Sequence, residues 1–534
     1  MKRMKRIMAL MLAAIMMMAM SVTAFAAGGA AGTCTLTVNA KGGQDLKGQT
    51  INLYKLFDVT ESTSGETKNY AYTVNTAYKT ALVNVLTKLK TSVSAIPDVT
   101  ETSTDAELAA AVSSIGAKDS ETVQKFANDF TTYALTQNSK LDATTNSRKL
   151  GEVASYEFTG LDAGYYLVYV TGGKEIQSSL VTVDSTTNTV NLKTEAPSIE
   201  KKADKETVSI GQVVKYTVTG SIPDTTGYEQ YVYKIHDTLT TGLDFVNDAT
   251  GTALREGATT VNIKVAFGEG VTDAGTAPAT ATLSGEGNRQ MVLDLSEWVR
   301  TNQANNKGKE FTVTYYAKVN KAAVVTEKNS AHLEYGNNPG ETTTTTPSEA
   351  KTPTYPLDIL KIKKDTEEIL AGAHFTLYAS TTAGVIDESK PIKVTKVADG
   401  KYSYAADQTS TDPSVITDMV TVASKIEGQG YNLHINGLAA GTYYLKETKA
   451  PDGYNKLTEA IKVTITKSTT TDENEWTLIV DKGTVDGKIV KVENSSGSLL
   501  PSTGGRGAIA FAVIAALLVF GVAVSFIRDK RKEA

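Results

Sequence analysis

The chain has 534 residues, 41% of them hydrophobic and 21% charged, so it has material for about three domains and can bury real cores rather than stay disordered. Its 54 Lys and Arg against 59 Asp and Glu give a net charge of −5, which excludes the basic footprint of a nucleic-acid-binding protein. The single cysteine, Cys34, excludes a disulfide framework and a cysteine-based metal centre.

The N-terminus has the parts of a secretory signal. Four basic residues among the first six positions precede an unbroken apolar run from Ile7 to Met20. An Ala-Phe-Ala triplet that ends at Ala26 then offers the small-x-small pattern that signal peptidase accepts. We therefore predict that residues 1–26 are a signal peptide, which is removed on export.

Short runs of alternating hydrophobicity dominate the chain beyond the signal. Several of them place three apolar side chains on one face at a period of two, as half-buried strands do. Clear examples are Val214-Tyr216-Val218, Phe311-Val313-Tyr315 and Ala331-Leu333-Tyr335. The pattern predicts an all-β protein built from tandem Ig-like β-sandwich domains.

Helical periodicity interrupts the first of these domains. Apolar residues repeat at helical spacing from Leu82 to Leu89, and a second helix is predicted to begin near Ser120. We therefore predict a helical insertion over about 77–141 in an otherwise β domain.

An internal repeat relates the first and last domains. Residues 46–54 parallel 370–378, and residues 160–167 parallel 437–445. These two domains are predicted to be copies of one sandwich, while the middle domain has neither segment and is predicted to be a different sandwich. The predicted divisions are 1–26, 27–193, 194–349, 350–498 and 499–534. The threonine-rich stretch Thr342–Thr346 is either a flexible linker or an irregular edge strand.

Each of the last two domains places polar residues on predicted core faces. In the last domain these are Lys361, Glu447 and Asn494, each on the apolar side of its strand, where it would be costly to bury alone. Lys363 is two residues beyond Lys361 and therefore lies on the same face of the strand. It is the alternative to Lys361 as the lysine of this set.

The middle domain has a similar set of inward-facing polar residues. Lys201, Asp237 and Asn329 each share a strand face with apolar neighbours. Lys202, the next residue, is the alternative to Lys201 as the lysine of this set.

The C-terminus has three features in order. The first is Leu500-Pro501-Ser502-Thr503-Gly504. An apolar stretch at 507–527 follows, which at about 1.5 Å per residue is long enough to cross a bilayer, and then a basic tail. Together these resemble the LPxTG sorting signal of Gram-positive surface proteins. The resemblance implies that a sortase cysteine attacks the Thr503 carbonyl, releases the chain from Gly504 onward and transfers the acyl group to an amine, so that the membrane span is a temporary stop.

Two further motifs in the last domain resemble Gram-positive pilins. They are Tyr444-x-x-Glu447-Thr448-x-Ala450-Pro451-x-Gly453-Tyr454, which resembles the pilin E-box, and Leu370-Ala371-Gly372-Ala373, which resembles Cna B-type domains. Such domains form an intramolecular isopeptide bond between lysine and asparagine, which implies a Lys361–Asn494 bond with Glu447 as the promoting acid. A buried neutral amine can attack the amide carbonyl while the acid polarises it, so that ammonia leaves and no cofactor is needed.

The middle domain resembles the isopeptide-forming middle domain of backbone pilins. This resemblance implies a Lys201–Asn329 bond with Asp237 as the acid. The first domain departs from the pattern, because no lysine occurs between positions 27 and 40 and Tyr169 is aligned with Glu447. We expect no such bond there.

Lys193 is predicted to point outward at the end of the first domain, because Val190 and Leu192 alternate inward. Its position resembles that of the pilin-motif lysine, which receives the acyl group of the neighbouring subunit's sorting threonine. The Tyr-Pro pair found before that lysine in the best-known form is missing here. The alternative is an ordinary surface lysine.

These resemblances imply the major structural subunit of a sortase-assembled pilus, anchored to the cell wall of a Gram-positive bacterium. The implied partners are pilus-type and housekeeping sortases, identical subunits, minor tip and base pilins, peptidoglycan and a host surface ligand, with no nucleic acid. The runner-up is a monomeric wall-anchored adhesin that binds host protein or glycan. An enzyme is not expected, because no nucleophile–base set is present, and neither is a metal site, because the four histidines lack ligand spacing.

Overall fold

The computed structural model describes residues 32–530, except 65–66, 118–119, 137–139, 174–175, 185–186, 194–195, 226–229, 269–270, 337–341, 471, 473, 482 and 498–505. The predicted signal peptide at 1–26 and the sorting pentapeptide at 500–504 lie outside the described residues. The chain divides into two compact units. One comprises the described residues up to Lys205 with Val213–Lys318 and Lys328–Lys351, and the other comprises Glu206–Gln212, Val319–Glu327 and the described residues from Thr352 onward. The predicted domain boundaries stay predictions.

The first part of the chain combines strands with a block of helices. Its elements in chain order are β1 (Cys34–Asn39), β2 (Ile51–Ser64), β3 (Thr67–Val74), a 3₁₀ turn (Thr76–Tyr78), α1 (Lys79–Lys90), α2 (Asp105–Ser113), α3 (Glu121–Thr136), β4 (Thr145–Asn146), β5 (Ser155–Leu161), β6 (Gly164–Val170), β7 (Gln177–Val183) and β8 (Thr187–Asn191). One sheet has the order β5-β1-β8, and the other has the order β3-β2-β6-β7 with β4 beside β2.

Both faces of the second sheet are buried, which makes this domain three layers deep. On β2, Leu53 faces the core shared with the other sheet, and its neighbour Tyr54 faces the helices. Cys34 lies in the inter-sheet core and is 5% exposed. The predicted helical insertion is confirmed, with one helix more than predicted. A capping box in which Thr104 and Glu107 bond each other's backbone begins α2, and this short motif was the available sequence signal.

The middle part of the chain is a two-sheet sandwich. Its elements are β9 (Glu200–Ala203), β10 (Val213–Ser221), β11 (Val232–Leu239), β12 (Leu243–Val246), β13 (Thr260–Asn262), β14 (Lys264–Phe267), β15 (Thr280–Ser284), a 3₁₀ turn (Glu286–Asn288), β16 (Gln290–Asp294), α4 (Ser296–Asn306), β17 (Glu310–Val319), β18 (Lys328–Gly336), β19 (Thr343–Thr344) and β20 (Ser348–Lys351). One sheet runs β12-β17-β10-β9 with β14 beside β17, and the other runs β13-β15-β16-β11-β18-β19 with β20 beside β18. The alternation predicted for β10, β17 and β18 is confirmed, since all nine apolar residues quoted for these strands are buried.

The threonine-rich stretch contributes an edge strand. Thr343 and Thr344 pair with Tyr335 and Glu334 at the end of β18. Thr345 continues the contact, because its backbone N–H donates to the Leu333 carbonyl at 2.9 Å. The alternative left open by the sequence is thereby resolved in favour of the strand.

The last part of the chain is a second two-sheet sandwich. Its elements are β21 (Tyr355–Lys363), β22 (His374–Ser380), β23 (Ile386–Pro391), β24 (Val394–Ala398), β25 (Lys401–Tyr404), β26 (Val415–Ile416), β27 (Met419–Val420), a 3₁₀ turn (Ile426–Gly428), β28 (Leu433–Leu438), β29 (Gly441–Lys449), β30 (Ile461–Lys467), β31 (Trp476–Val480), β32 (Gly483–Thr484), a 3₁₀ turn (Asp486–Lys488), β33 (Ile489–Asn494) and α5 (Arg506–Lys530). One sheet runs β26-β24-β25-β28-β21-β33, and the other runs β23-β22-β29-β30-β31-β32 with β27 beside β22. The prediction of an all-β protein of tandem sandwiches is confirmed.

The predicted membrane-spanning segment at 507–527 falls on α5. Over the part of the chain that the structure describes, no helix is long and apolar enough to cross a membrane.

Candidate functional site

Three polar side chains meet inside the last sandwich. Lys361 on β21 and Asn494 on β33 come from neighbouring parallel strands of one sheet, and Glu447 comes from β29 of the facing sheet. Their exposures are 0%, 1% and 2%. The alternation of each strand turns the polar residue inward with its apolar neighbours, as the sequence pattern predicts.

The glutamate links the other two members of this cluster. Lys361 Nζ lies 3.6 Å from Glu447 Oε1, and Asn494 Nδ2 donates to Glu447 Oε2 at 3.0 Å. The same Oε2 accepts the backbone N–H of Leu457 at 2.7 Å, which fixes the carboxylate in place. Lys361 Nζ also donates to the Val492 carbonyl at 3.3 Å, and this bond holds the amine against the strand that carries Asn494.

Burial shifts the Lys361 side chain toward its neutral form. Loss of hydration lowers the pKa of Lys361 from 10.5 to about 8, even though the nearby Glu447 carboxylate opposes the shift. A much larger fraction of the amine is therefore neutral near neutral pH than for an exposed lysine. Only the neutral amine has the lone pair that can attack a carbonyl carbon.

Two acceptors in this cluster have unmet hydrogen-bonding capacity. Among the described residues, no group donates a hydrogen bond to Glu447 Oε1 or Asn494 Oδ1, although both atoms are buried. Buried acceptors are normally satisfied, so two together in one site require an explanation. A proton on the carboxyl oxygen would turn one acceptor into a donor for the other.

A buried asparagine that the sequence analysis missed positions the lysine. Asn432 Oδ1 accepts the backbone N–H of Lys361 at 2.7 Å. Its Nδ2 donates to the carbonyls of Leu370 and Val422 at 3.1 and 2.9 Å. Asn432 thus holds the Lys361 backbone where the pairing of β21 with β28 ends. Its sequence neighbours carry no pattern that distinguishes it from a loop asparagine.

A second cluster lies inside the middle sandwich. Lys201 on β9 belongs to one sheet, and Asp237 on β11 and Asn329 on β18 belong to the facing sheet. The three residues are 4%, 1% and 0% exposed. Lys201 Nζ forms an ion pair with Asp237 Oδ2, and burial lowers the pKa of Lys201 against the opposing effect of that carboxylate. Asp237 Oδ1 and Asn329 Oδ1 repeat the pair of buried acceptors that lack a donor among the described residues.

A tyrosine completes the middle cluster. The Tyr315 hydroxyl on β17 accepts a hydrogen bond from Lys201 Nζ and donates one to Asp237 Oδ2. Asn329 Nδ2 donates to the same hydroxyl at 3.4 Å. The sequence identified Tyr315 only as an inward-facing core residue, because alternation gives the face of a strand but not the partners across the sandwich.

The competing lysines lie outside both clusters. Lys363 is partly exposed and pairs with Glu368 at 3.3 Å. Lys202 is exposed and pairs with Glu200 at 3.0 Å. The geometry thus favours Lys361 and Lys201 among the alternatives left open by the sequence.

The first sandwich has different residues at the corresponding positions. Ile51 pairs with Val170 across β2 and β6, as Phe375 pairs with Glu447 across β22 and β29. The acid position is therefore occupied by Val170, and the alignment of Tyr169 with Glu447 was wrong by one residue. Val170 and Glu447 follow Gly164 and Gly441 by the same six residues, so the strands align without a gap, and Tyr169 faces the helices instead.

The lysine position of the first sandwich is also apolar. β1 pairs in parallel with β8, as β21 pairs with β33. Ala40 follows Val38 two positions later, where Lys361 follows Ile359. The first sandwich therefore has neither the amine nor the acid.

Lys193 lies two residues beyond the end of β8 and is exposed. The preceding Leu192 is 7% exposed, and its backbone N–H donates to the Asn39 carbonyl at 2.9 Å. Lys193 also borders a cavity of about 900 Å³ in the first domain, lined by residues of α2, α3 and the adjacent strands. The predicted outward orientation is observed, and the role of Lys193 stays a prediction.

Comparison with known proteins identifies one part of the chain. Residues 356–478 match the family described as SpaA, prealbumin-like fold domain. Similar solved structures include the fimbrial protein FimP of Actinomyces oris, at 21% identity and a TM-score of 0.45, covering 87% of this chain and 98% of that one. Another is the major pilin SpaA of Corynebacterium diphtheriae, at 16% identity and a TM-score of 0.42, covering 87% and 100%. At these scores no function follows from the likeness. No curated protein matches the chain in sequence. The segment 356–478 is therefore a prealbumin-like domain of the SpaA type.

Proposed function

We propose that the chain is the major subunit of a covalent pilus on a Gram-positive cell surface, polymerised by sortase and stiffened by Lys–Asn isopeptide bonds that form without any enzyme. The observation that carries the proposal is the pair of buried clusters, each with one lysine, one carboxylate and one asparagine. Two such clusters in consecutive sandwiches are not explained as ordinary core residues, because each buries an amine and a carboxylate at a desolvation cost.

The last-domain cluster has the groups that isopeptide formation needs. The neutral amine of Lys361 attacks Cγ of Asn494 while the protonated Glu447 carboxyl polarises the side-chain carbonyl. Glu447 then gives its proton to the leaving nitrogen and takes the surplus proton from Nζ. The carbon–nitrogen bond to the leaving group breaks, ammonia departs, and an amide joins β21 to β33. The unpaired acceptors on Glu447 and Asn494 support this step, since one carboxyl proton would satisfy both.

The position of the clusters along the chain fits a load-bearing shaft. In the proposed polymer, Thr503 of one subunit is joined to Lys193 of the next. The covalent path between these residues runs through the middle and last sandwiches, which hold the clusters, and leaves out the first, which has Ala40 and Val170 instead. Cross-links that connect an early strand to a late strand carry tension past the sandwich without unfolding it.

The proposed pilus has further partners. These are a pilus-type sortase, a housekeeping sortase that transfers the polymer to peptidoglycan, minor tip and base pilins and, for the assembled fibre, a host surface ligand. Thr503 lies in the LPxTG-like pentapeptide, and Lys193 is an exposed lysine after β8. The SpaA-type prealbumin-like domain at 356–478 supports the assignment.

Gel analysis of wall extracts tests the polymer directly. We expect a high-mass ladder for the native chain and its loss in Lys193→Ala. Lys88→Ala, which removes another exposed lysine of the first domain, is the matched control and should keep the ladder. A ladder that persists in Lys193→Ala would remove Lys193 from the scheme. A single band for the native chain would favour the monomeric wall-anchored adhesin.

A further inference from the structure

The Tyr315 hydroxyl lies at the centre of the middle cluster. It contacts the Lys201 amine, the Asp237 carboxylate and the Asn329 amide nitrogen, and so touches every group of the proposed reaction. Tyr315 is completely buried. Burial first, and the Asp237 carboxylate second, raise the pKa of Tyr315 well above its usual value, so the hydroxyl keeps its proton as a hydrogen-bond donor.

The two clusters differ in how the acid reaches the asparagine. In the last sandwich, Glu447 Oε2 accepts directly from Asn494 Nδ2 at 3.0 Å. Aspartate is one methylene shorter than glutamate, and in the middle sandwich the Tyr315 hydroxyl stands between the Asp237 carboxylate and Asn329 Nδ2. The tyrosine thus occupies the path that the longer glutamate side chain spans alone.

We propose that Tyr315 is a catalytic residue of the middle cluster, which relays a proton from Asp237 to the leaving nitrogen of Asn329. This inference rests on the proposed isopeptide function. It adds a fourth kind of group, a hydroxyl, to the amine, carboxyl and amide of the middle cluster, so the two sites would use related but different proton paths.

The proposed step balances without an outside reactant. Lys201 and Asp237 first exchange a proton to give a neutral amine and a neutral carboxyl, and Nζ then bonds to Cγ of Asn329. The amide nitrogen loses its conjugation in this adduct and gains a lone pair, so it accepts the Tyr315 proton. Tyr315 recovers a proton from Asp237, and Asp237 takes the surplus proton from Nζ. The Cγ–Nδ2 bond breaks, and the departing ammonia takes the remaining proton from Asp237 and leaves as ammonium. The Asp237 carboxylate and the Tyr315 hydroxyl therefore end as they began.

Tyr216 provides a control that distinguishes the role of the Tyr315 hydroxyl from that of the Tyr315 ring. Lys201 Nζ lies 4.7 Å from the ring centroid of Tyr315 and 4.8 Å from that of Tyr216. The two rings stack with centroids 5.8 Å apart, and Tyr216 is also completely buried. Both rings therefore pack against the amine, but the relay assigns the proton path to the Tyr315 hydroxyl. Tyr216→Phe is the matched control for Tyr315→Phe.

The experiment follows each cross-link in the full chain by tryptic mass spectrometry, at purification and during incubation. We expect Tyr315→Phe to form the Lys201–Asn329 bond about 100-fold more slowly, as loss of a general acid commonly gives. The Lys361–Asn494 bond in the same molecule reports correct folding and should be complete, and Tyr216→Phe should cross-link like the native chain.

A compensating variant distinguishes proton relay from packing. Asp237→Glu lengthens the acid to match Glu447. The double variant Asp237→Glu/Tyr315→Phe should therefore form the Lys201–Asn329 bond at least tenfold faster than Tyr315→Phe alone. A Tyr315→Phe chain that cross-links at the native rate overturns the assignment. A slow Tyr315→Phe chain that Asp237→Glu leaves equally slow also overturns it, because the defect then lies in packing. A native chain without the Lys201–Asn329 bond would instead refute the proposed function of this cluster.

Discussion

Replacing Lys361 by Met removes the last-domain cross-link. Methionine has a side chain of similar length and places no charge at the buried position. The Lys361–Asn494 bond would close a loop of about 130 residues, and the loop-entropy relation used for disulfides puts its loss at on the order of 5 kcal/mol of unfolding free energy. For a domain of about 150 residues, this corresponds to a fall in Tm of roughly 15 °C.

Calorimetry of the purified chain, with mass spectrometry of each variant, measures this effect. Lys363→Met is the matched control, because Lys363 is two positions away and forms only a surface ion pair with Glu368. Such a pair contributes about 1 kcal/mol or less, so the control should keep the bond and nearly the native Tm. A Lys361→Met chain that loses the bond but keeps the native Tm would contradict the stabilising role of the cross-link. Loss of the bond in Lys363→Met would contradict its assignment to Lys361.

Two further predictions concern the buried charges. In Asn494→Ala the free Lys361 has a folded pKa of about 8 against 10.5 when unfolded, so the folded state binds fewer protons between these values. Its stability should therefore rise by roughly 3 kcal/mol from about pH 8 to pH 10.5, as urea unfolding measures, and a flat profile identical to that of Asn494→Ala/Lys361→Met would contradict this. Asp237→Asn should block the Lys201–Asn329 bond and leave the other intact, and a chain that still loses two ammonia molecules would exclude Asp237 as the acid.

Strand alternation predicted much of both clusters. Because side chains point to opposite faces at a period of two, Lys361, Glu447 and Asn494 could be assigned to the core from their apolar neighbours alone. Tyr169 was misassigned because residues 160–167 were matched to 437–445 across a one-residue gap, whereas the strands keep the same spacing from Gly164 to Val170 as from Gly441 to Glu447. A gap of one residue in such a match moves every later position to the other face of the strand.

Strand alternation could not predict which side chains contact each other across the sandwich. Tyr315 reads as one more core aromatic of β17, and Asn432 as a loop residue, because their partners are distant in sequence. These contacts depend on which strands face each other and in what register. The edge strand at Thr343 was ambiguous for a related reason, since its threonines have no apolar alternation.

Intact-mass analysis of the purified chain shows in one measurement whether both isopeptide bonds form. We expect a mass lower than the sequence mass by two ammonia molecules. We also expect tryptic fragments in which Lys201 is joined to Asn329 and Lys361 to Asn494. A chain at its full sequence mass, with all four side chains unmodified, would contradict both proposed bonds.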